Sequence, residues 1–193
     1  MFTVAPSSVR AASRPGPVIA ASSRIAAPRH LATPRLELDV TVAVEQLRAL
    51  QHALPEVALH FAVKANPHPQ LLQALYAAGA RFDVASPAEV RVALAAGARP
   101  AELVYSNPVK RRDDIATAYA LGVRLFAVDS PEETRKLAEA APGAGVIVRL
   151  VTSGEGSDWP LSRKYGCSTG EAIAVLAEAT QLGLAPAGVS FHV

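Results

Sequence analysis

One lysine in this sequence stands where its amine could do covalent chemistry. Lys64 closes the apolar run "HFAV" and is followed by the turn signal Asn66-Pro67, in a chain where all but four of the 19 basic residues are arginine. A lysine amine can lose its proton and condense with an aldehyde, whereas a guanidinium does neither. Residue type and position therefore predict a Schiff-base lysine, the alternative being a strand-end lysine that snorkels to water.

Three other polar residues end or interrupt apolar runs and could share a site with Lys64. Asp83 in "RFDVAS" is either a partner for Lys64 or a solvated edge residue. Arg149 closes "GAGVIVRL", and its guanidinium suits an oxyanion or phenolate as well as a structural ion pair. His192 follows "GVSF" and is either catalytic or a packed strand histidine. The other histidines have no metal-ligand spacing with one another or with Cys167, so no metal site is predicted.

The elements that must position these residues follow from alternating apolar and alanine-rich stretches, which indicate βα units around a parallel sheet. Three junctions, "AAGARFDVAS", "AAGARPAELVYS" and "ALGVRLFAVDS", each end a helix at glycine, restart with a basic residue and stop at serine. The predicted strands lie near 57–63, 81–84, 102–105, 123–127, 145–150 and 187–192. The predicted helices lie near 40–53, 68–78, 87–96, 111–120, 131–140 and 169–182.

Regular strand spacing without a phosphate-loop fingerprint favours a (β/α)₈ barrel over a doubly wound sheet. Six of the eight strands can be placed, so the predicted fold is α/β, an incomplete TIM barrel. Barrel chemistry takes place at the carboxyl ends of the strands. By this assignment Lys64, Asp83, Arg149 and His192 lie at or near such ends.

Composition limits the other function classes. Five arginines precede Glu37, and the remainder of the chain has 14 basic and 17 acidic residues, so the pI near 8.9 comes from the residues before Glu37. Scattered arginines without interleaved aromatics are a weak nucleic-acid signal, and no apolar run is long enough for a signal peptide or membrane span. Residues 1–32 are predicted to be a disordered leader, with the domain at 33–193. The lone Cys167 favours a reducing, cytoplasmic compartment.

Five segments occur in an order that can be compared with known families: "HFAVKANPHPQLLQALYAAGARFDVASPAEV", "VYSNPVKRRDDIATAYALGVRLFAVDS", "IVRL", "SDWPLSRKYGC" and "GVSFHV". Over about residues 33–193, the chain resembles the alanine-racemase-like barrel domain of the pyridoxal-phosphate-dependent basic amino acid decarboxylases. Within that family it is most similar to the bacterial ornithine decarboxylases. The lysine motif, the "FDVAS" strand and the "SFHV" strand carry the resemblance, because they fall in sequence at matching separations.

The resemblance implies a role for each candidate residue. Lys64 matches the lysine that holds pyridoxal 5'-phosphate as an internal aldimine and exchanges it for the substrate amine. His192 matches the histidine that stacks on the pyridine ring, and Arg149 the arginine near the phenolic oxygen. Asp83 matches an aspartate close to that lysine, with Glu89 as a weaker supporting candidate. The implied reaction is decarboxylation of a basic L-amino acid, ornithine to putrescine first, with lysine or arginine as other substrates.

The resemblance also implies parts outside these residues. Lys164, in "LSRKYG", matches a lysine that contacts the partner subunit of a homodimer. The family's glycine-rich phosphate loop, the acid that protonates the pyridine nitrogen and the C-terminal β-domain are expected after residue 193. So are the cysteine and aspartate that complete the site from the neighbouring subunit. We therefore expect this portion alone to hold the cofactor poorly.

Three alternatives stay open at this point. The chain could be a diaminopimelate decarboxylase, although "SDWPLSRKYG" is closer to the ornithine group. It could be a non-catalytic single-barrel protein that carries pyridoxal phosphate, although the lysine motif of those proteins differs from "AVKANP". It could also be an inactive fragment of a split or truncated reading frame.

Overall fold

The structure, a computed structural model, describes residue 34, residues 36–153 and residues 164–192. Within these ranges six strands form one parallel sheet in the order β1-β2-β3-β4-β5-β6. The strands are β1 (His60–Ala62), β2 (Arg81–Val84), β3 (Leu103–Tyr105), β4 (Leu125–Val128), β5 (Gly145–Arg149) and β6 (Ala185–Ser190). Each unit adds its strand beside the previous one, as in a (β/α)₈ barrel wall. The predicted α/β fold, a partial barrel, is confirmed.

Helices connect the strands and begin where the sequence signals them. They are α1 (Val40–Ala53), α2 (Pro69–Ala77), α3 (Pro87–Ala95), α4 (Arg112–Ala120), α5 (Pro131–Ala140) and α6 (Thr169–Gln181). Ser86, Ser130 and Ser168 cap α3, α5 and α6 by accepting a backbone N–H in the first turn, which satisfies a donor that the helix leaves unpaired. Pro at the start of α2, α3 and α5 has no N–H to leave unpaired.

The three repeated junctions are αβ turns, as predicted. Gly79, Gly97 and Gly122 have φ values of +92°, +102° and +97°, a region that a residue bearing Cβ rarely adopts. At Gly122 an added Cβ would also lie 2.8 Å from Cβ of Pro100. Glycine is therefore required here both by backbone conformation and by the close approach of Pro100.

Strand alternation separates two faces of the sheet. The main core lies between the sheet and the helices, and its largest buried side chains include Tyr105, Phe82, Phe126 and Leu72. The opposite, inner face carries the small buried cluster Val104, Ala127 and Ile147. Successive side chains of a strand point to opposite faces, so the inner face of β2 and β5 also carries Asp83 and Arg149.

The structure shifts two strand ends relative to the sequence prediction. β1 ends at Ala62, and Lys64 lies in a 3₁₀ turn, Val63–Ala65. β6 ends at Ser190, so His192 lies two residues past the strand instead of at its end. β6 starts two residues earlier than predicted, since Ala185 N–H already bonds Ala144 O, and its pairing ends where Ser190 faces Arg149, the last residue of β5.

Other expectations concern segments that the structure does not describe. The predicted leader, residues 1–32, lies outside the described residues, as do residues 154–163. Among the helices that the structure does describe, none has the length and apolar character needed to span a membrane.

Candidate active site

Lys64 is presented to solvent by a short turn with a buried anchor. Val63, in the same 3₁₀ turn, is fully buried, whereas the Lys64 side chain is exposed. Asn66 closes the turn by accepting the His68 N–H at 3.1 Å through Oδ1, and its extended backbone suits the following Pro67. In the part of the chain that the structure describes, the Lys64 side chain is therefore accessible to solvent.

Asp83 lies on the inner face of β2. It pairs with Ala62, the last residue of β1, and Lys64 follows two residues later. Burial raises the pKa of the Asp83 carboxyl, and the Ser106 hydroxyl within hydrogen-bonding reach and the Lys64 ammonium act in the opposite direction. Its Oδ1 is buried and has no hydrogen-bond partner among the described residues. A buried acceptor without a donor is costly, so this oxygen is available to a donor from outside these residues.

Glu89, the weaker candidate, is used structurally. Its Oε2 accepts the Ala85 N–H at 2.9 Å, while its own N–H bonds Ser86 Oγ at 3.2 Å. This reciprocal arrangement resembles a capping box and fixes the turn that joins β2 to α3. The Glu89 charge also contributes to raising the pKa of Asp83.

Arg149 ends β5 and lies against an aromatic ring. Its guanidinium carbon is 5.3 Å from the centre of the Tyr165 ring, and Lys164 Nζ is 5.8 Å from the same centre. Both distances are those of cation–π contacts, which orient side chains without neutralising them. Arg149 is thus oriented at the end of β5 with its charge still available to an anion.

The segment that carries Tyr165 is fixed to the sheet at Gly166. The Gly166 N–H donates to Asp129 Oδ2 at 2.9 Å, and Asp129 directly follows β4. Cys167 N–H donates to Arg149 O at 3.0 Å, and Val151 N–H donates to Cys167 O at 2.9 Å. These bonds hold the segment beside the end of β5.

Among the candidate residues, His192 has the least structural support for its predicted role. Its side chain is exposed, and its carbonyl accepts the Thr152 hydroxyl at 2.6 Å. Within the described ranges, no hydrogen bond or ion pair joins Lys64, Arg149 and His192. The roles assigned to Lys64, Asp83, Arg149 and His192 therefore stay predictions.

Sequence reasoning missed Lys110, a fully buried cation close to the site. Its Nζ contacts four oxygens: Asn107 O at 3.1 Å, Pro108 O at 3.2 Å, Ala127 O at 2.5 Å and Glu133 Oε1 at 3.0 Å. Burial lowers the pKa of Lys110 to about 8, and the Glu133 carboxylate opposes that shift. A signal was present, because "NPVK" places a second lysine beside an Asn-Pro turn, like "KANP" around Lys64.

These elements define a class: a parallel (β/α) barrel wall with an accessible lysine after its first strand. The family described as "Pyridoxal-dependent decarboxylase, pyridoxal binding domain" matches residues 41–193. The chain belongs to this family of pyridoxal-phosphate-dependent decarboxylases. The expected cofactor, pyridoxal phosphate, is the one that defines the family.

Curated relatives support the family and its basic amino acid group. The chain is 37% identical over 158 residues to ornithine decarboxylase of Leishmania donovani, a match that spans 81% of this chain and 22% of that protein. It is 34% identical over 165 residues to lysine/ornithine decarboxylase of Selenomonas ruminantium, across 86% of this chain and 42% of that protein. The chain thus spans between about a fifth and two fifths of these relatives.

Solved structures share the fold. The lysine/ornithine decarboxylase of Vibrio vulnificus complexed with putrescine matches with a TM-score of 0.73 and 36% identity, over 81% of this chain and 40% of that one. The arginine decarboxylase of Paramecium bursaria Chlorella virus matches with a TM-score of 0.74 and 30% identity, over 79% of this chain and 42% of that one. The resemblance to basic amino acid decarboxylases is confirmed at the level of the family.

Proposed function

We propose that this chain is the cofactor-binding part of a pyridoxal-phosphate-dependent decarboxylase of basic L-amino acids, with ornithine as substrate and putrescine as product. The observation that carries the proposal is the accessible Lys64 amine beside Asp83, at the edge of the sheet where Arg149 also ends its strand. The names of the relatives include ornithine, lysine/ornithine and arginine decarboxylases, which supports a basic amino acid as substrate.

The residues at this edge fit pyridoxal phosphate. The aldehyde of this cofactor needs an unblocked amine, and Lys64 Nζ has no hydrogen bond or ion pair within the described ranges. The cofactor also carries anionic oxygens, for which the Arg149 guanidinium is a suitable partner. The unpartnered Asp83 Oδ1 offers an acceptor for a donor that arrives with cofactor or substrate.

The chain's own residues supply binding and proton control. When bound, pyridoxal phosphate supplies an electron sink for the negative charge left as CO₂ departs. Lys64 Nζ is the group that would hold the cofactor, through its aldehyde carbon. The Asp83 carboxyl lies close to Lys64, and the Arg149 guanidinium favours negative charge at the end of β5. His192 is proposed to cover the ring from the segment that follows β6.

The proposal includes the assembly and cellular setting implied by the resemblance. We propose a homodimer with Lys164 at the subunit contact, since its side chain is exposed in this chain. We also propose residues 33–193 as the barrel portion, residues 1–32 as its leader, and a cytoplasmic role in polyamine synthesis. Gel filtration with light scattering tests the dimer, and a monomer at all concentrations would reject it.

The direct test is cofactor binding followed by activity. The purified chain mixed with pyridoxal phosphate should develop an absorbance band of lysine-bound cofactor, which Lys64→Ala abolishes and the matched control Lys136→Ala retains. Release of ¹⁴CO₂ from carboxyl-labelled ornithine, lysine and arginine then ranks the substrates. A folded protein that gives the same band with Lys64→Ala would overturn the proposed role of Lys64. Binding without CO₂ release from any of the three would favour the non-catalytic carrier.

A further inference from the structure

The buried amine of Lys110 organises the segment that follows β3. Its side chain has no solvent exposure, and that of Glu133 has 5%. Two of its four acceptors, Asn107 O and Pro108 O, belong to the segment itself. A third, Ala127 O, belongs to β4, and the fourth is the Glu133 carboxylate on α5. The ammonium therefore joins the segment to both the neighbouring strand and the next helix.

The backbone at Lys110 adds a second connection. The Lys110 backbone N–H donates to Glu133 Oε1 at 3.0 Å, so the same carboxylate binds both the backbone N–H and the side-chain ammonium of Lys110. Glu133 Oε2 is bound by Lys136 Nζ at 2.5 Å, which satisfies the other oxygen. A buried ion pair with every hydrogen-bonding group satisfied is rigid, and it fixes one conformation of the chain around it.

The segment begins with Ser106, which borders the proposed cofactor site. Ser106 N–H donates to Val84 O at 3.2 Å, so its backbone continues the β2–β3 pairing by one residue. Its hydroxyl lies within hydrogen-bonding reach of the Asp83 carboxylate. The next residue, Asn107, is the one whose carbonyl Lys110 holds. We call these contacts of the Lys110 ammonium the clamp. The clamp therefore acts one peptide unit away from Ser106, the residue whose hydroxyl is near Asp83.

We propose that Lys110 is a positioning residue: by closing the segment 106–110 around its ammonium, it holds Ser106 against Asp83 beside Lys64. The importance of this positioning for catalysis rests on the proposed function of Lys64. The Lys110 ammonium is enclosed by oxygens of the segment, β4 and α5, so its route to Asp83 is the position of Ser106.

The effect of Lys110 on Asp83 through Ser106 can be measured without cofactor. The carboxyl of Asp83 is followed by ¹³C NMR during a pH titration of the full chain labelled at aspartate Cγ, with Asp83→Asn to assign the signal. Ser106→Ala removes a hydroxyl that favours the carboxylate, so the pKa of Asp83 should rise. Lys110→Met should raise it as well. In the double variant, the rise should be no larger than with Ser106→Ala alone, because both changes remove one contact.

Lys136→Met is the matched control, since it removes a cation from the same Glu133 without touching the segment 106–110. It should leave the Asp83 titration unchanged. If Lys110→Met does not fold, Lys110→Arg keeps the charge with a planar fork that cannot reproduce four oxygens around one nitrogen, and the same upward shift is expected.

Two results would overturn the inference: an Asp83 titration that Lys110 variants leave unchanged, or a Lys110 effect that persists fully when Ser106 is alanine. Neither result depends on whether Lys64 binds pyridoxal phosphate. A chain that fails to bind the cofactor but shows the coupled shifts would reject the proposed function and keep the clamp.

Discussion

The carboxyl ends of the first two strands differ from those of the next three. At the ends of β1 and β2, Lys64 is exposed and Asp83 keeps a buried oxygen without a partner among the described residues. At the ends of β3, β4 and β5, Lys110 has four acceptors, Asp129 bonds Gly166, and Arg149 lies against Tyr165.

The difference separates an amine available for chemistry from one used for structure. A lysine with every N–H engaged and no solvent exposure cannot reach an aldehyde. A lysine on an exposed turn can, provided that its turn is anchored, as Lys64 is by Val63. The two lysines thus have different roles: Lys110 makes the strand ends rigid, and Lys64 is left accessible beside them.

The largest expected effect comes from removing the structural amine. Lys110→Met leaves Glu133 and two segment carbonyls short of a buried partner, so we expect a loss of about 3–5 kcal/mol in the free energy of unfolding. Lys64→Ala, on the exposed turn, should change it by less than about 0.5 kcal/mol. Urea denaturation of both variants measures the contrast. Equal losses would abolish the distinction between the two lysines.

A smaller effect is expected at Gly166, which carries the chain past β5. Its φ is +103°, and an added Cβ would lie 2.7 Å from Val151 N, so Gly166→Ala should cost roughly 2–3 kcal/mol. Gly143→Ala is the matched control: φ is +74° but no atom lies within 4 Å, so the loss should be about 1 kcal/mol. Thermal unfolding compares the two. If Gly143→Ala is as costly as Gly166→Ala, the close approach to Val151 has no energetic weight.

The smallest expected effect is the pH dependence contributed by Asp83. Because burial raises its pKa in the folded chain, the folded state binds more protons than the unfolded state just above the ordinary aspartate pKa. Stability from this group should therefore fall as the pH rises through the interval between the unfolded and folded pKa values. Asp83→Asn should flatten that part of a urea-unfolding series taken against pH. A steeper fall in the variant would reverse the sign argued here.

Local signals made most of the fold predictable. Gly79, Gly97 and Gly122 ended helices as expected, and Ser86 and Ser130 capped the helices that follow β2 and β4. These rules depend on a few neighbouring residues, so sequence alone carries them. The end of β6 was wrong by two residues because the strand ends where β5 ends, at the pair of Ser190 with Arg149, and no local pattern encodes that pairing.

The site was predictable only in part, because its contacts join distant residues. Lys64 and Asp83 stood out by type and position, but the exposure of Lys64 depends on which residues cover the turn. Lys110 also stands beside an Asn-Pro turn, but its structural role was hidden in sequence because its partners Ala127 and Glu133 are 17 and 23 residues away. Such pairings appear only when the strands are assembled.

The most direct test is to trap the amine that reacts. The full chain is incubated with pyridoxal phosphate, reduced with borohydride and digested, and the modified lysine is identified by peptide mass spectrometry. The account predicts modification of Lys64, with Lys110 unmodified in the folded protein and modified only after unfolding. Labelling of Lys110 in the folded chain while Lys64 stays unmodified would contradict it.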